Sequence, residues 1–191
     1  LLRKNILTDE EREEYLGIIE EEMKRLYTMA NGILNLTKVE NQSILTNVTE
    51  YNLSEQIRLT VLLLESKWTA RNINMNIDFG EYTINANEEM MKQVWINLLD
   101  NAIKFSPEGE EISIRISNKN EHIYVSISGK GPHIEDEEIN KIFRKFYQSD
   151  SSHSTEGTGI GLALVSRIIE LHKGRIEVNS DKNINTFTVI L

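Results

Sequence analysis

Asn97-Leu98-Leu99-Asp100-Asn101-Ala102-Ile103-Lys104-Phe105 is the stretch from which the fold is read. Read back to Glu88, with Asn87 as its cap, it forms one helix. Successive helical residues turn by about 100°, which puts Gln93, Asn97, Asn101 and Lys104 on one narrow arc and Met91, Trp95, Leu99, Ala102 and Ile103 opposite. A polar stripe is ordinarily a solvated face, but such faces favour Glu, Lys and Arg, whereas asparagine is a mediocre helix former. Two asparagines one turn apart, then a lysine, offer neutral oxygens for Mg²⁺ and a cation for phosphate.

Two glycine runs lie further along. Gly157-Thr158-Gly159-Ile160-Gly161 directly precedes a helical pattern, Leu162 to His172. Glycines let backbone N–H groups approach phosphate closely, and a helix N-terminus favours negative charge. The second run, Gly129-Lys130-Gly131-Pro132, follows a strand. Neither closes with the Gly-Lys-Ser/Thr of a P-loop.

Outward from these motifs, helices and strands segregate. Ser54 to Arg71 repeats Ile57, Val61, Leu64 and Trp68 at helical spacing, and Ile73 to Phe79 alternates as a strand. Short strands are expected at Tyr82–Ala86, Glu111–Ser117 and His122–Ser128, the last two joined by the turn Asn118-Lys119-Asn120-Glu121. A short helix over Glu135–Phe143, a polar loop over Gln148–Glu156, a helix over Gly159–His172 ending at Gly174 as its C′ residue, and strands over Arg175–Asn179 and Thr186–Leu191 complete the pattern. The expectation is an α+β, two-layer sandwich: a mixed sheet with helices on one face, preceded by a long bundle helix.

That first helix opens on Thr8-Asp9-Glu10-Glu11, a capping box. Leu16, Ile19, Met23, Leu26, Ala30, Ile33 and Thr37 then recur at alternating steps of three and four, the seam of a coiled coil or helix bundle. Glu20-Glu21-Glu22 reads as its solvated face, and Leu1–Ile6 as the stub of a preceding element. Residues 1–45 are assigned to this helical unit and 46–191 to the sandwich.

The 191 residues carry a formal charge of −9, which argues against a nucleic-acid coat. An anionic ligand must therefore be held locally. The chain has no cysteine, which excludes disulfides and thiolate metal sites. Its longest apolar run, Val61-Leu62-Leu63-Leu64, is far short of the roughly 18–20 residues of a membrane span. No nucleic-acid partner and no membrane contact are expected of these residues.

Taken in order, Asn97–Phe105, Ile142-Phe143-Arg144-Lys145-Phe146-Tyr147 and Gly157-Thr158-Gly159-Ile160-Gly161-Leu162-Ala163 resemble the N, F and G2 boxes of sensor histidine kinases. That family belongs to a wider ATPase superfamily with gyrase and MutL. Glu10–Glu40 looks like its second dimerisation helix, so the likeness covers essentially the whole chain. The resemblance implies the Bergerat fold, with ATP between the N-box helix and a lid at about Tyr147–Thr158. Asn101 would hold Mg²⁺ bridging the phosphates, with Asn97 beside it. Lys104 would offset phosphate charge, and with Asn97 would form the catalytic pair. Phe105 would line the pocket and Ile134 would wall the adenine. Backbone around Gly157, Thr158, Gly159, Gly161 and Leu162 would cradle the phosphates, and Gly129 and Gly131 would lie at the base. A glutamate at position 97 would mark a hydrolase; Asn97 cannot act as a general base, so kinase is favoured over ATPase. The resemblance further implies a response regulator as partner, a homodimer through the first helix, and the cytoplasmic portion of a membrane-anchored bacterial sensor.

Two departures accompany the likeness. His122, His133, His153 and His172 all lack the acidic-then-proline context of a phosphoacceptor, and the only prolines are Pro107 and Pro132. The acceptor is expected upstream of Leu1. The family's Asp-x-Gly-x-Gly reads here Gly129-Lys130-Gly131-Pro132-His133, so the aspartate that accepts from the adenine amino group is Gly129. His133 is expected to strain the turn if its φ is positive. Asn183-Ile184-Asn185 stands where further glycines are expected. A degenerate module that binds partners without ATP chemistry is the alternative.

Overall fold

A computed structural model describes residues 8–148 and 157–191. Thr8 caps the first helix, α1 (Asp9–Glu40), through the expected box: its Oγ1 accepts from Glu11 N–H at 3.2 Å and its own N–H donates to the Glu11 carboxylate at 2.8 Å. Leu36 and Val39, at the C-terminal end, are the buried residues of α1. Leu16, Ile19, Met23, Leu26 and Ile33 are all exposed, so the seam is an apolar stripe facing solvent. The stub Leu1–Ile6 lies outside the described residues.

Next come β1 (Thr49–Asn52), α2 (Leu53–Leu63), α3 (Glu65–Ala70), β2 (Asn74–Asp78), β3 (Thr83–Ala86) and α4 (Glu88–Phe105). β4 (Glu111–Lys119), β5 (His122–Lys130), α5 (Asp136–Ile139), α6 (Gly161–Leu171), β6 (Arg175–Asp181) and β7 (Ile184–Ile190) follow. The main sheet has the order β2-β4-β5-β7-β6, with β2 parallel to β4 and every other pair antiparallel. It is mixed, as the segregated pattern predicts. Asn120 and Glu121 (φ 51° and 65°) turn β4 into β5, and Lys182 and Asn183 (φ 48° and 65°) turn β6 into β7. Both are two-residue turns with two left-handed residues, the type whose twist suits hairpins.

Ile112, Ile114, Ile116, Val125, Ile127 and Val189 share the buried face. The other face carries Ser126, Ser128, Thr186 and Thr188, hydrogen-bonded across β5 and β7 at 2.9 Å (Ser128–Thr186) and 3.4 Å (Ser126–Thr188). α4 and α6 close the core over the apolar face: Met91, Trp95 and Leu99 from α4, and Val165, Ile168 and Ile169 from α6, are at most 1% exposed. Buried Gln56 ties α2 to α4: its amide donates to Glu88 O at 2.8 Å, and its carbonyl accepts from Trp95 Nε1 at 2.8 Å and the Tyr51 hydroxyl at 3.0 Å. Burial pushes the Tyr51 phenol pKa up, with Glu88 adding to the effect.

Four local expectations need correction. The helix over Ser54–Arg71 breaks at Leu64 (φ −97°, ψ 10°), where three apolar residues, Leu62-Leu63-Leu64, cannot all face the core. The pairing strand β1 carries no strong alternation and went unread; it joins β3 in a separate two-stranded ribbon. The helix after Pro132 runs only over Asp136–Ile139. The left-handed residue ending α6 is Lys173 (φ 59°), not Gly174. Gly174 is small for another reason: a Cβ there would sit 2.5 Å from Ile190 O.

Candidate nucleotide site

One cavity of about 490 Å³ opens between α4, the glycine turn before α6, and the ends of β5 and β7. Its volume suits a drug- or nucleotide-sized ligand. Helical period brings Asn97, Asn101, Lys104 and Phe105 to its wall, and Gly157, Thr158, Gly159, Gly161 and Leu162 form the wall opposite. Gly129 and Ile134 line the far end.

The two near walls touch only because glycine permits it. A Cβ on Gly161 would lie 2.6 Å from Asn97 Oδ1, and one on Gly157 would lie 2.7 Å from Lys104 Nζ. Gly159 has a different constraint: its φ is +65°, and a Cβ would fall 2.7 Å from Phe146 C and 2.8 Å from Tyr147 O. Asn97 is held from below, its Nδ2 donating to Gln93 O at 2.7 Å. Lys104 Nζ also lies 4.7 Å from the centre of the Phe105 ring. Phe146 N–H donates to Gly159 O at 2.8 Å, and Gln148 Nε2 to Gly157 O at 2.6 Å, which clips together the two sides of the expected lid. Residues 149–156 of that lid, with His153, lie outside the described residues.

The helices α1, α2 and α4 are capped by the side chains of Thr8, Asn52 and Asn87, whereas no side chain caps α6. Its first backbone N–H groups therefore face the cavity without a side-chain acceptor, which is an anion-binding arrangement. The wall has five cationic side chains, Lys24, Arg25, Lys67, Lys104 and Lys130, against the carboxylates of Glu21, Asp100 and Glu138. A chain of net charge −9 thus keeps a locally cationic hollow.

Some residues are not where sequence reading puts them, and others were missed. Gly131 does not line the cavity; it sits behind the wall, where a Cβ would meet Asn185 Nδ2 at 3.0 Å. His133 lines the cavity without positive φ, so the expected turn strain is absent. Its Nδ1 is 2.8 Å from Ser180 Oγ, a surface contact. Lys24, Arg25 and Thr28 of α1, Lys67 of α3, and Ile127 and Phe187 of the sheet reach the cavity unforeseen. Ile127 and Phe187 are register partners on β5 and β7, and the cations from α1 and α3 depend on how those helices pack. No local pattern marks either. Among the described residues no cluster of His, Cys, Asp and Glu could hold a metal ion. The Asn101 carboxamide still fits Mg²⁺, which is commonly held by one or two protein oxygens together with substrate phosphates and water.

Residues 86–191 match the family described as histidine kinase-, DNA gyrase B- and HSP90-like ATPase. The chain belongs to this family. It is 31% identical over 189 residues to the heme sensor protein HssS of Staphylococcus saprophyticus, covering 98% of this chain and 41% of that protein. The chain spans about two fifths of the length of the curated relatives it matches. Among solved structures, the catalytic domain of histidine kinase ThkA superposes with TM-score 0.70 at 32% identity, covering 76% of this chain and 95% of that one. ThkA in complex with the response regulator protein TrrA gives TM-score 0.81 at 29% identity, covering 99% of this chain and 53% of that one. The fold is therefore that of the family's catalytic domain with a long helix before it. Among the described residues no helix is long and apolar enough to cross a membrane.

Proposed function

We propose that this chain is the ATP-binding catalytic portion of a sensor histidine kinase, in which residues 1–45 end the helical dimerisation unit and 46–191 form the catalytic unit. The observation that carries the reading is the approach of Asn97 and Lys104 to Gly161 and Gly157, at which a Cβ would fall 2.6 and 2.7 Å away. A surface stripe has no reason to meet glycines that closely; a triphosphate cradle does. Asn101 would hold Mg²⁺ on the phosphates, Lys104 would neutralise their charge, and the uncapped start of α6 would supply backbone donors. When bound, Mg²⁺ draws charge off the phosphoryl group in transit. Phosphoryl transfer needs mainly positioning and charge neutralisation, so this set is sufficient. Asn97 offers no base to activate water, which supports transfer over hydrolysis. The acceptor would be a histidine of the parent protein outside residues 1–191, and the next recipient a response regulator. The parent would be a membrane-anchored bacterial sensor with this portion in the cytoplasm.

Calorimetric titration with Mg-ATP tests the site: saturable, Mg²⁺-dependent binding is expected. Gly129 favours a second reading, a degenerate module serving as a conformational or partner-binding element, and a folded protein that takes up no heat from millimolar Mg-ATP would establish it. With labelled ATP, the chain itself should gain no acid-labile phosphate. The exposed α1 seam also supports homodimerisation, and sedimentation showing a strict monomer at high concentration would count against that part of the reading.

A further inference from the structure

One polar atom in the cavity wall is buried without a partner. Asn185, on β7, lines the cavity. Its Nδ2 donates to Pro132 O at 2.8 Å, while its Oδ1 is shielded from water and accepts no hydrogen bond. The other such atoms among the described residues, on Gln42, Arg71 and Ser113, belong to residues away from the cavity. A buried acceptor without a donor is destabilising, and native exceptions call for an explanation. A ligand that brings the donor is one.

The position of Asn185 narrows the donor. It pairs in register with Gly129 across β5 and β7, and antiparallel register partners present their side chains on the same face. Gly129 has no side chain, so nothing from β5 reaches across to the Asn185 amide. The neighbouring wall residues Ile127 and Phe187 are apolar and offer no donor. The amide is also fixed in orientation. Turning it over would set its oxygen against Pro132 O, and the bare Cα of Gly131 makes room for Nδ2 where a Cβ would stand at 3.0 Å. A neutral acceptor with apolar neighbours, at the end of the cavity remote from the cationic phosphate wall, suits the edge of a nucleobase.

We propose that Asn185 Oδ1 accepts a hydrogen bond from the exocyclic 6-amino group of adenine, so that base selection rests on β7 where β5 has only Gly129. This rests on the nucleotide-site reading. Guanine presents a carbonyl oxygen at the same position, so two acceptors would face each other, and reversal of the amide would forfeit the Pro132 contact. A purine with hydrogen at position 6 would leave Oδ1 unpartnered, as it is in the empty cavity.

The test is competition calorimetry on the full chain with Mg-ATP and with the triphosphate of purine riboside, which lacks the 6-amino group. The unaltered protein should bind ATP about three- to tenfold more tightly, the range for one neutral hydrogen bond. Asn185→Ala should bring ATP down to the level of the analogue and leave the analogue unchanged, and Asn185→Asp, which keeps an acceptor, should retain a preference for ATP. Equal binding of the two nucleotides by the unaltered protein would overturn the assignment while leaving the nucleotide site standing. Equal weakening of both by Asn185→Ala would likewise show a structural role only. A folded protein that binds neither would overturn this inference together with the reading it rests on. Should Asn185→Ala fail to fold, the ATP–analogue comparison on the unaltered and Asn185→Asp proteins decides alone.

Discussion

The two ends of the cavity are built by different means. At the phosphate end, α4 and the glycine turn before α6 meet through side-chain period and missing Cβ atoms, and each contributor is a contiguous stretch. At the base end, Gly129 and Asn185 meet through strand register, and they lie on different hairpins. The first end is crowded and committed: any side chain at 157, 159 or 161 strikes something under 3.0 Å away. The second has slack. A Cβ at Gly129 would meet Ser106 Oγ at 3.1 Å and Ile112 Cγ1 at 3.3 Å, contacts that a small shift relieves. A committed end tolerates no substitution, whereas an end with slack can move its recognition group from one strand to its neighbour.

The largest effect should come from forcing the committed end. Gly159→Ala puts a side chain at φ +65° and against the Phe146 backbone at 2.7 Å. Left-handed backbone costs a non-glycine residue about 1–2 kcal/mol, and overpacking adds typically about 1–3. Thermal unfolding should drop by several degrees, and Mg-ATP affinity should fall with it. Native stability and binding in this variant would show the turn to be freely adjustable.

Asn101→Ala should act more narrowly. Losing the oxygen offered to Mg²⁺ should lower ATP affinity by about 10- to 100-fold in magnesium buffer, yet change little in EDTA, with the fold intact by circular dichroism. A loss of equal size in both buffers would assign Asn101 to the phosphates or to packing instead. The same variant separates the two ends: the preference for ATP over its 6-hydrogen analogue should survive it.

Gly129→Asp probes the slack end. A carboxylate there would offer adenine a charged acceptor, worth about 1.5–3 kcal/mol, less the displacement of Ser106 and Ile112. Because Asn185 already offers a neutral acceptor, the gain for ATP should be smaller in the unaltered background than in Asn185→Ala. GTP should gain little in either. Unchanged ATP affinity in both backgrounds, with the fold intact, would show that the base end is closed to purines.

How much of this was legible beforehand follows from the same contrast. Asn87, the arc from Asn97 to Lys104, the capping box at Thr8 and the turn residues at 118–121 act within a few positions of themselves, so local pattern reveals them. Asn185 looks like an ordinary turn residue until register sets it opposite Gly129, and Lys24 and Arg25 look like the solvated side of a bundle helix until α1 packs. The break at Leu64 was missed because Ile57, Val61, Leu64 and Trp68 keep helical spacing through it; only the competition for the core stops the helix there. Asn52 caps α2 just as Asn87 caps α4, but the strand before it was too short to mark.

The smallest expected effect joins the two walls from behind. His172, the residue capping the C-terminus of α6, accepts at Nε2 from the Asn87 backbone N–H at 3.1 Å, while Nδ1 lies 2.7 Å from Ile168 O and donates to it. One imidazole thus ties the end of α6 to the residue that caps α4. Burial holds its pKa below the ordinary value, although the Ile168 contact opposes the shift. Protonation would turn Nε2 into a donor facing a donor. The folded state therefore binds fewer protons at His172 than the unfolded state, whose pKa is about 6.5. Its contribution is fully present above that value and is lost as pH falls from about 6.5 through the depressed folded pKa. The loss should be about 1 kcal/mol, the worth of the Asn87 hydrogen bond. Carboxylates elsewhere also titrate in acid, so the measurement is a difference: urea midpoints between pH 7.5 and 5.0 for the unaltered protein and for His172→Gln, whose neutral carbonyl can accept from Asn87. The unaltered protein should lose more stability across this range, and parallel pH curves would mean that the imidazole stays neutral throughout or that its link to α4 carries no stability.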